Sequence, residues 1–328
     1  MKRRDFITLL GGAAAAWPLG ARAQQQAMPV IGFLNAAWPD GFESRLRAFR
    51  EGLGDAGYVV GQNVAVEYHW AENQLGQLPI LATELVRRKV TVIFAAGGSA
   101  PALAVSAATK AIPIVFAVPE DPLKVGLVDS LSRPGGNATG IYFFVADLVA
   151  KQLELLRELA PGASRVAVLV NPAAAARAES TVKEAKAASS ALGMQVQIFN
   201  ASSRHEINAA FTSLARERPD ALFVGPDPFF INRRVQLASL AARHAIPTLC
   251  VSRDYPEVGA LMSYGTNINS AYRQAGVYVG RVLKGTKPAD LPVEQSIKFE
   301  LVLNVQTAAM LGLAVPPTLL ARADEVIE

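Results

Sequence analysis

Two aspartates, each near a proline, stand where apolar runs end. Asp121 lies in PEDP after the run IPIVFAV, and Asp227 lies in GPDPFF after ALFV. A carboxylate at such a place can accept hydrogen bonds from the ammonium group of an amino-acid-like ligand. Gly98-Ser99-Ala100-Pro101 reads as a helix start, with Ser99 as N-cap and Pro101 in the first turn. The free amides of that turn carry partial positive charge and suit a carboxylate. Asn35 and Asn171 end two apolar runs and can each offer an amide hydrogen bond. Trp38, Tyr142, Phe143, Phe229, Phe230 and Tyr264 are the aromatic side chains that could wall a ligand site.

Each of these residues also has a purely structural reading. An aspartate before proline can close an Asx-turn, and an asparagine after a strand can do the same. Ser99 can cap its own helix and nothing more. The glycines beside it can serve a tight turn instead of close backbone approach to a ligand. Paired rings at a strand end can simply pack in a core. Neighbours on a strand alternate faces, so Phe143 and Phe144 cannot both point into one site.

Catalytic chemistry finds little to use. The chain has no G-x-S-x-G, C-x-x-C or phosphate-binding glycine loop, and no G-x-G-x-x-G after a strand. His69, His205 and His244 are scattered without metal-ligand spacing, so no metal and no cofactor is expected. The single cysteine, Cys250, excludes a disulfide within the chain and reads as a small buried apolar group. No Lys/Arg stripe with interleaved aromatics speaks for nucleic acid.

The N-terminus, MKRRDFITLLGGAAAAWPLGARAQQQ, has a basic start, an apolar run over 6–17 and an Ala21-Arg22-Ala23 cleavage pattern. It reads as an export signal over residues 1–23, too short to cross a bilayer. Arg3-Arg4 followed by Asp5-Phe6-Ile7 resembles a twin-arginine signal; an ordinary secretory signal is the alternative. Its removal takes the net charge from +4 to +1. The expected product is a soluble periplasmic protein, cleaved after Ala23 and without a lipid anchor.

These residues need a scaffold, and the pattern supplies one. Short β-rich runs alternate with helical periods: 30–35, 63–70, 90–96 and 112–118 as strands, with helices over 41–56, 78–89 and 100–110. The order returns as strands at 165–171, 194–200, 220–225 and 246–251, with helices over 178–192, 205–218 and 232–244. ELVRRKVTVIFAAGG (84–98) aligns with SLARERPDALFVGPD (213–227) at an offset of 129. AIPIVF (111–116) aligns with AIPTLC (245–250) at 134, and VIGFLNAA (30–37) with VAVLVNPA (166–173) at 136. Ordered matches at nearly one offset predict two equivalent α/β lobes with parallel sheets, joined by a multi-strand hinge. Lobe 1 is expected over 28–142 and about 266–290, and lobe 2 over 145–262 and about 295–325. Ligands of parallel sheets bind beyond the carboxyl ends of the strands. Two facing lobes would therefore share one cleft, with Asn35, Trp38, Gly98 and Ser99 opposite Asn171, Asp227, Phe229 and Phe230.

A resemblance covers essentially the whole chain after residue 23. AFREGLGDAGYVVGQNVAVEYHWAE (48–72), AIPIVFAVPEDPLKVGLVDSLSRPGGNATG (111–140), VGPDPFF (224–230), YRQAGVYVGRVLKGTKPADLPVEQ (272–295) and FELVLNVQTAAMLGL (299–313) carry it. On them the chain resembles the extracytoplasmic solute-binding proteins of ABC transporters, in the tryptophan/tyrosine-binding-like group. The resemblance implies a type I periplasmic-binding-protein fold and delivery of a small solute to a membrane permease with its ATPase; the missing catalytic motifs already speak against an enzyme. A monomer is expected. A receptor reporting its ligand to a membrane sensor would share the fold and is the alternative, as, more remotely, is a two-lobed α/β enzyme.

Overall fold

The computed structural model describes residues 28–143 and 148–328. The expected export signal over 1–23, Phe144 and the expected start of lobe 2 at 145 lie outside them. The chain forms two α/β units, each built on one sheet. The first sheet holds β1 (Val30–Asn35), β2 (Ala65–Trp70), β3 (Val92–Ala96), β4 (Ile114–Val118), β5 (Ala138–Tyr142) and β11 (Glu294–Gln295), in the order β11-β5-β4-β3-β1-β2. Every pairing in it is parallel. Its helices are α1 (Glu43–Asp55), α2 (Leu78–Arg87) and α3 (Ser99–Ala108).

The second sheet repeats this winding. It holds β6 (Arg165–Val170), β7 (Gln195–Asn200), β8 (Ala221–Val224), β9 (Thr248–Cys250), β10 (Met262–Thr266), β12 (Phe299–Asn304) and β13 (Glu325–Ile327), in the order β13-β12-β10-β9-β8-β6-β7. Its helices include α4 (Val149–Leu159), α5 (Ala175–Ala191), α6 (Arg204–Glu217), α7 (Pro228–Asn232) and α8 (Arg234–Arg243). The expected α/β class therefore holds, with one difference: β12 runs antiparallel to β10. The reason is topological. β10 is parallel to β9 and runs toward the carboxyl ends of its sheet. The chain then leaves for the first unit through α9 (Ile268–Leu283) and β11. It re-enters the second sheet at the end it left, so β12 must descend.

Both sheets are covered on both faces, which is why their strands read as unbroken apolar runs. Alternate residues of one strand feed opposite cores, as the two-residue period of a strand requires. Ile31 and Phe33 join Val92, Phe94 and Ala96 on one face of the first sheet. Leu34 joins Ile93, Ala95 and Phe116 on the other. The second sheet divides in the same way, with Val166, Val168 and Phe223 on one face and Ala167, Leu169, Leu222 and Val224 on the other. Cys250 is fully buried in the latter cluster, and burial pushes its thiol well above the usual range.

The returning helix α9 docks on α1 backbone to backbone. A Cβ on Gly52 would lie 1.9 Å from the Arg273 carbonyl oxygen, and one on Gly276 would lie 2.2 Å from that of Phe49. Neither position tolerates a side chain without separating the helices. This contact seats on the first unit a helix whose N-cap, Asn267, directly follows a strand of the second.

Candidate functional site

The carboxyl ends of both sheets face one another, and the loops there carry the polar side chains of interest. On the first lobe, β3 ends in Gly97 and Gly98, with φ of +83° and +114°. That left-handed backbone favours glycine. At Gly97 space enforces the same choice, because a Cβ would fall 2.2 Å from Asn35 Oδ1. Asn35 is fully buried and its Oδ1 accepts the Ala37 amide at 2.9 Å. It shapes the turn after β1, and the Tyr272 hydroxyl of α9 lies against it. Burial pushes that phenol up to about 12, against the opposing Arg45 charge and the contact with Asn35.

Ser99 does not act as the expected N-cap. Gly98 occupies that position, with no side-chain cap, and Ser99 is the first helical residue. The Ser99 hydroxyl instead donates to Glu120 Oε2, after β4. The hydroxyl at the helix start proposed for a ligand carboxylate is thus engaged by one of the protein's own carboxylates. Glu120 in turn reaches across to the second lobe, where Arg177 Nη2 lies 3.5 Å from its Oε1.

Arg177 also faces Asp227, with Nη1 at 3.6 Å from Oδ2. Asp227 is buried and heavily engaged. Its Oδ1 accepts the Phe229 amide at 2.9 Å and the Asn171 Nδ2 group at 3.1 Å. It is the N-cap of α7, so the Asx-turn reading holds for it. The same holds for Asn171, whose Oδ1 accepts from Ala173, and for Asp121, whose Oδ1 accepts from Leu123. Asn171, Arg177, Thr181, Gly225, Asp227 and Phe230 contribute to the lining of a small depression at these strand ends.

A second cross-lobe contact lies deeper. Arg45 of α1 meets Asp254, in the loop after β9, at 2.5 Å, and both side chains are only 8% exposed. Ser252 Oγ donates to the same carboxylate oxygen at 2.6 Å. The Arg234 guanidinium of α8 also crosses to the first lobe and lies over Gly41, where a Cβ would stand 2.5 Å from its Nη2.

The sequence-selected residues fall into three groups. Ser99, Asn171 and Asp227 come together, linked by Glu120 and Arg177, while Asn35 and Gly98 shape the turns beside them. Asp121 stands next to Glu120 and faces Tyr142, whose phenol is raised by burial and then by that charge. The rings scatter. Phe143 and Tyr142 are packed in opposite cores of the first lobe. Phe230 is completely buried against the second-lobe core, with half-buried Phe229 5.6 Å away. Tyr264 packs on another core cluster and faces Phe299 at 6.1 Å, and Trp38 is 43% exposed.

Arg45, Glu120, Arg177 and Asp254 were missed by sequence reasoning. Two of them left a signal. Arg177 is the sole charge in AAAARA (173–178). Arg45 interrupts the otherwise apolar buried stripe of α1, Ala48, Phe49, Gly52 and Leu53.

The chain is 28% identical over 267 residues to a tyrosine-binding protein of Clostridioides difficile (strain R20291), a match covering 81% of this chain and 76% of that protein. Its fold is similar to that of a Streptococcus pneumonia ABC domain in complex with L-Trp, with a TM-score of 0.78 and 25% identity over 92% of this chain and all of that one. It is also similar to a ligand-free, open substrate-binding protein with adhesive properties from Clostridium difficile, with a TM-score of 0.69 and 26% identity over 91% of this chain and 99% of that one. Residues 33–327 match the family described as ABC transporter substrate binding protein, and on a match spanning both sheets the chain belongs to that family.

Proposed function

We propose that this chain is the exported solute-binding subunit of an ABC-type uptake transporter, and that it captures an amino acid of the aromatic kind between its two lobes. The observation that carries the reading is the series Ser99, Glu120, Arg177 and Asp227, in which a first-lobe carboxylate and a second-lobe carboxylate flank one second-lobe guanidinium. Such groups suit a small ligand bearing both a carboxylate and an ammonium. The relatives that bind tyrosine and L-Trp support the same class.

The lobes, 28–142 with about 266–290 and 145–262 with about 295–325, would move about the segments that pass between the sheets. A ligand that touches both lobes only when they are closed stabilises closure, and the closed form is the one presented to the permease and its ATPase. The cross-lobe pairs of Arg45 with Asp254 and of Arg177 with Glu120 support a closed arrangement here. The export signal supports a periplasmic location, and no helix among the described residues is long and apolar enough to cross a membrane.

The test is a thermal-shift panel on residues 24–328 with amino acids, aromatic carboxylates, sugars and polyamines. A ligand at 100 times its dissociation constant adds about 2.7 kcal/mol, a shift of several degrees. Stabilisation by L-tyrosine or L-tryptophan supports the reading. Stabilisation by sugars or polyamines alone contradicts it.

A further inference from the structure

Arg177 is poised between two carboxylates and tightly bound to neither. Its contacts to Glu120 and Asp227 are 3.5 and 3.6 Å, well beyond the 2.7–2.9 Å typical of a charge-assisted hydrogen bond. A guanidinium has five donors in a fixed fork that fits a carboxylate in two places at once. Glu120, by contrast, is fixed at Oε2 by the Ser99 hydroxyl, and Asp227 is fixed at Oδ1 by the Phe229 amide and Asn171. Two anchored anions therefore flank one loosely held cation, and each offers its remaining oxygen toward the cation's place.

We infer that Arg177 and Glu120 are the residues that select a zwitterion: the ligand's carboxylate takes Arg177, and its ammonium takes Glu120 and Asp227, separating the cross-lobe pair and re-forming it through the ligand. This rests on the amino-acid reading above and assigns its charges to named groups. The three side chains sum to one negative charge. A plain carboxylate meets two anions beside its one cation, and a plain amine meets the Arg177 guanidinium. A zwitterion satisfies all three groups and leaves the net charge unchanged. Glu120 lies on the first lobe and Arg177 on the second, so the ligand would engage both lobes at once. The Ser99 side chain at the helix start, where the sequence alone would seat the carboxylate, is already engaged by the Glu120 carboxylate.

The test is calorimetric titration of residues 24–328 with L-tyrosine, tyramine and 3-(4-hydroxyphenyl)propionate, and with the corresponding indole series. The protein is expected to bind the amino acid on the order of 100-fold more tightly than the analogue lacking either charge, the scale of losing one charge contact that the bound ligand would shield from water. In Arg177→Gln the preference for tyrosine over tyramine should collapse while the preference over the des-amino acid persists. Glu120→Gln should do the reverse, and Arg177→Lys should retain part of the first preference. Equal weakening of all three probes by Arg177→Gln, or no weakening, would overturn the assignment while leaving the amino-acid reading intact. A protein that binds no member of either series removes both.

Discussion

Arg45 and Asp254, from different lobes and 209 positions apart, form an ion pair shielded from solvent on both sides. Arg45 also lies 4.7 Å above the Phe42 ring, and Ser252 supports Asp254 from within its own loop. A buried pair in one lobe would contribute only to folding. Placed between lobes, it would also bias the lobe opening proposed above, because separation exposes both charges to water.

Asp254→Asn should therefore open the protein. Leaving a buried charge unpaired costs about 3–5 kcal/mol, and opening relieves that cost by solvating Arg45. Small-angle scattering should show a larger radius of gyration for the variant without ligand. Arg45→Met combined with Asp254→Leu should regain compactness, since apolar replacements of buried pairs are often neutral. Identical scattering from wild type and Asp254→Asn would refute the bias.

The neighbouring Arg253 serves three carboxylates: Glu257 at 2.8 Å, Glu325 at 2.6 Å and Glu300 at 3.4 Å. Glu300 is also held by the Asn267 amide, the N-cap of the crossover helix α9. Burial pushes the Glu300 carboxyl up to about 7 from an ordinary 4.5, against the Arg253 charge and with Asp324 and Glu325 adding to the rise. Between those values the unfolded chain has lost a proton that the folded protein keeps. Stability from this group is complete below about pH 4.5 and is lost as pH rises through about 7. Melting temperatures across that range should show a smaller decline for Glu300→Gln than for wild type. Superimposable curves would contradict the sign.

Gly276→Ala should weaken the seat of α9 on α1. The added methyl would meet the Phe49 carbonyl at 2.2 Å, with backbone on both sides and no flexible side chain to yield. Overpacking of this kind costs about 1–3 kcal/mol, and more where the backbone must move. Chemical denaturation checks it, and an unchanged midpoint would show that the helices separate freely.

The two rings of GPDPFF should behave differently. Phe230 is fully buried beside Tyr255 and Cys250, so Phe230→Ala should cost about 3–5 kcal/mol of stability. Half-buried Phe229 should cost less on truncation. Equal losses in denaturant titrations would contradict the difference in burial.

That pair also marks what the sequence could convey. The repeat of strand and helix words was legible because burial on both faces of a sheet writes continuous apolar runs. The turn-forming roles of Asn35, Asn171, Asp121 and Asp227 were legible because they depend on amides two residues away. Phe229 and Phe230 were expected to follow a turn, whereas Pro228 opens a short helix that turns Phe230 inward. Glu120 and Arg177 were not legible. Each depends on where a long side chain from one lobe ends relative to the other, and no local spacing encodes that distance. Antiparallel β12 was missed because its direction is set by a chain excursion through the opposite lobe.

The most direct test of the account is a crystal structure of residues 24–328 grown with L-tryptophan. The amino acid is expected between the lobes, with its carboxylate on Arg177 and its ammonium on Glu120 and Asp227. A ligand bound elsewhere, or bound there with its charged groups turned away from Arg177 and Glu120, would contradict it.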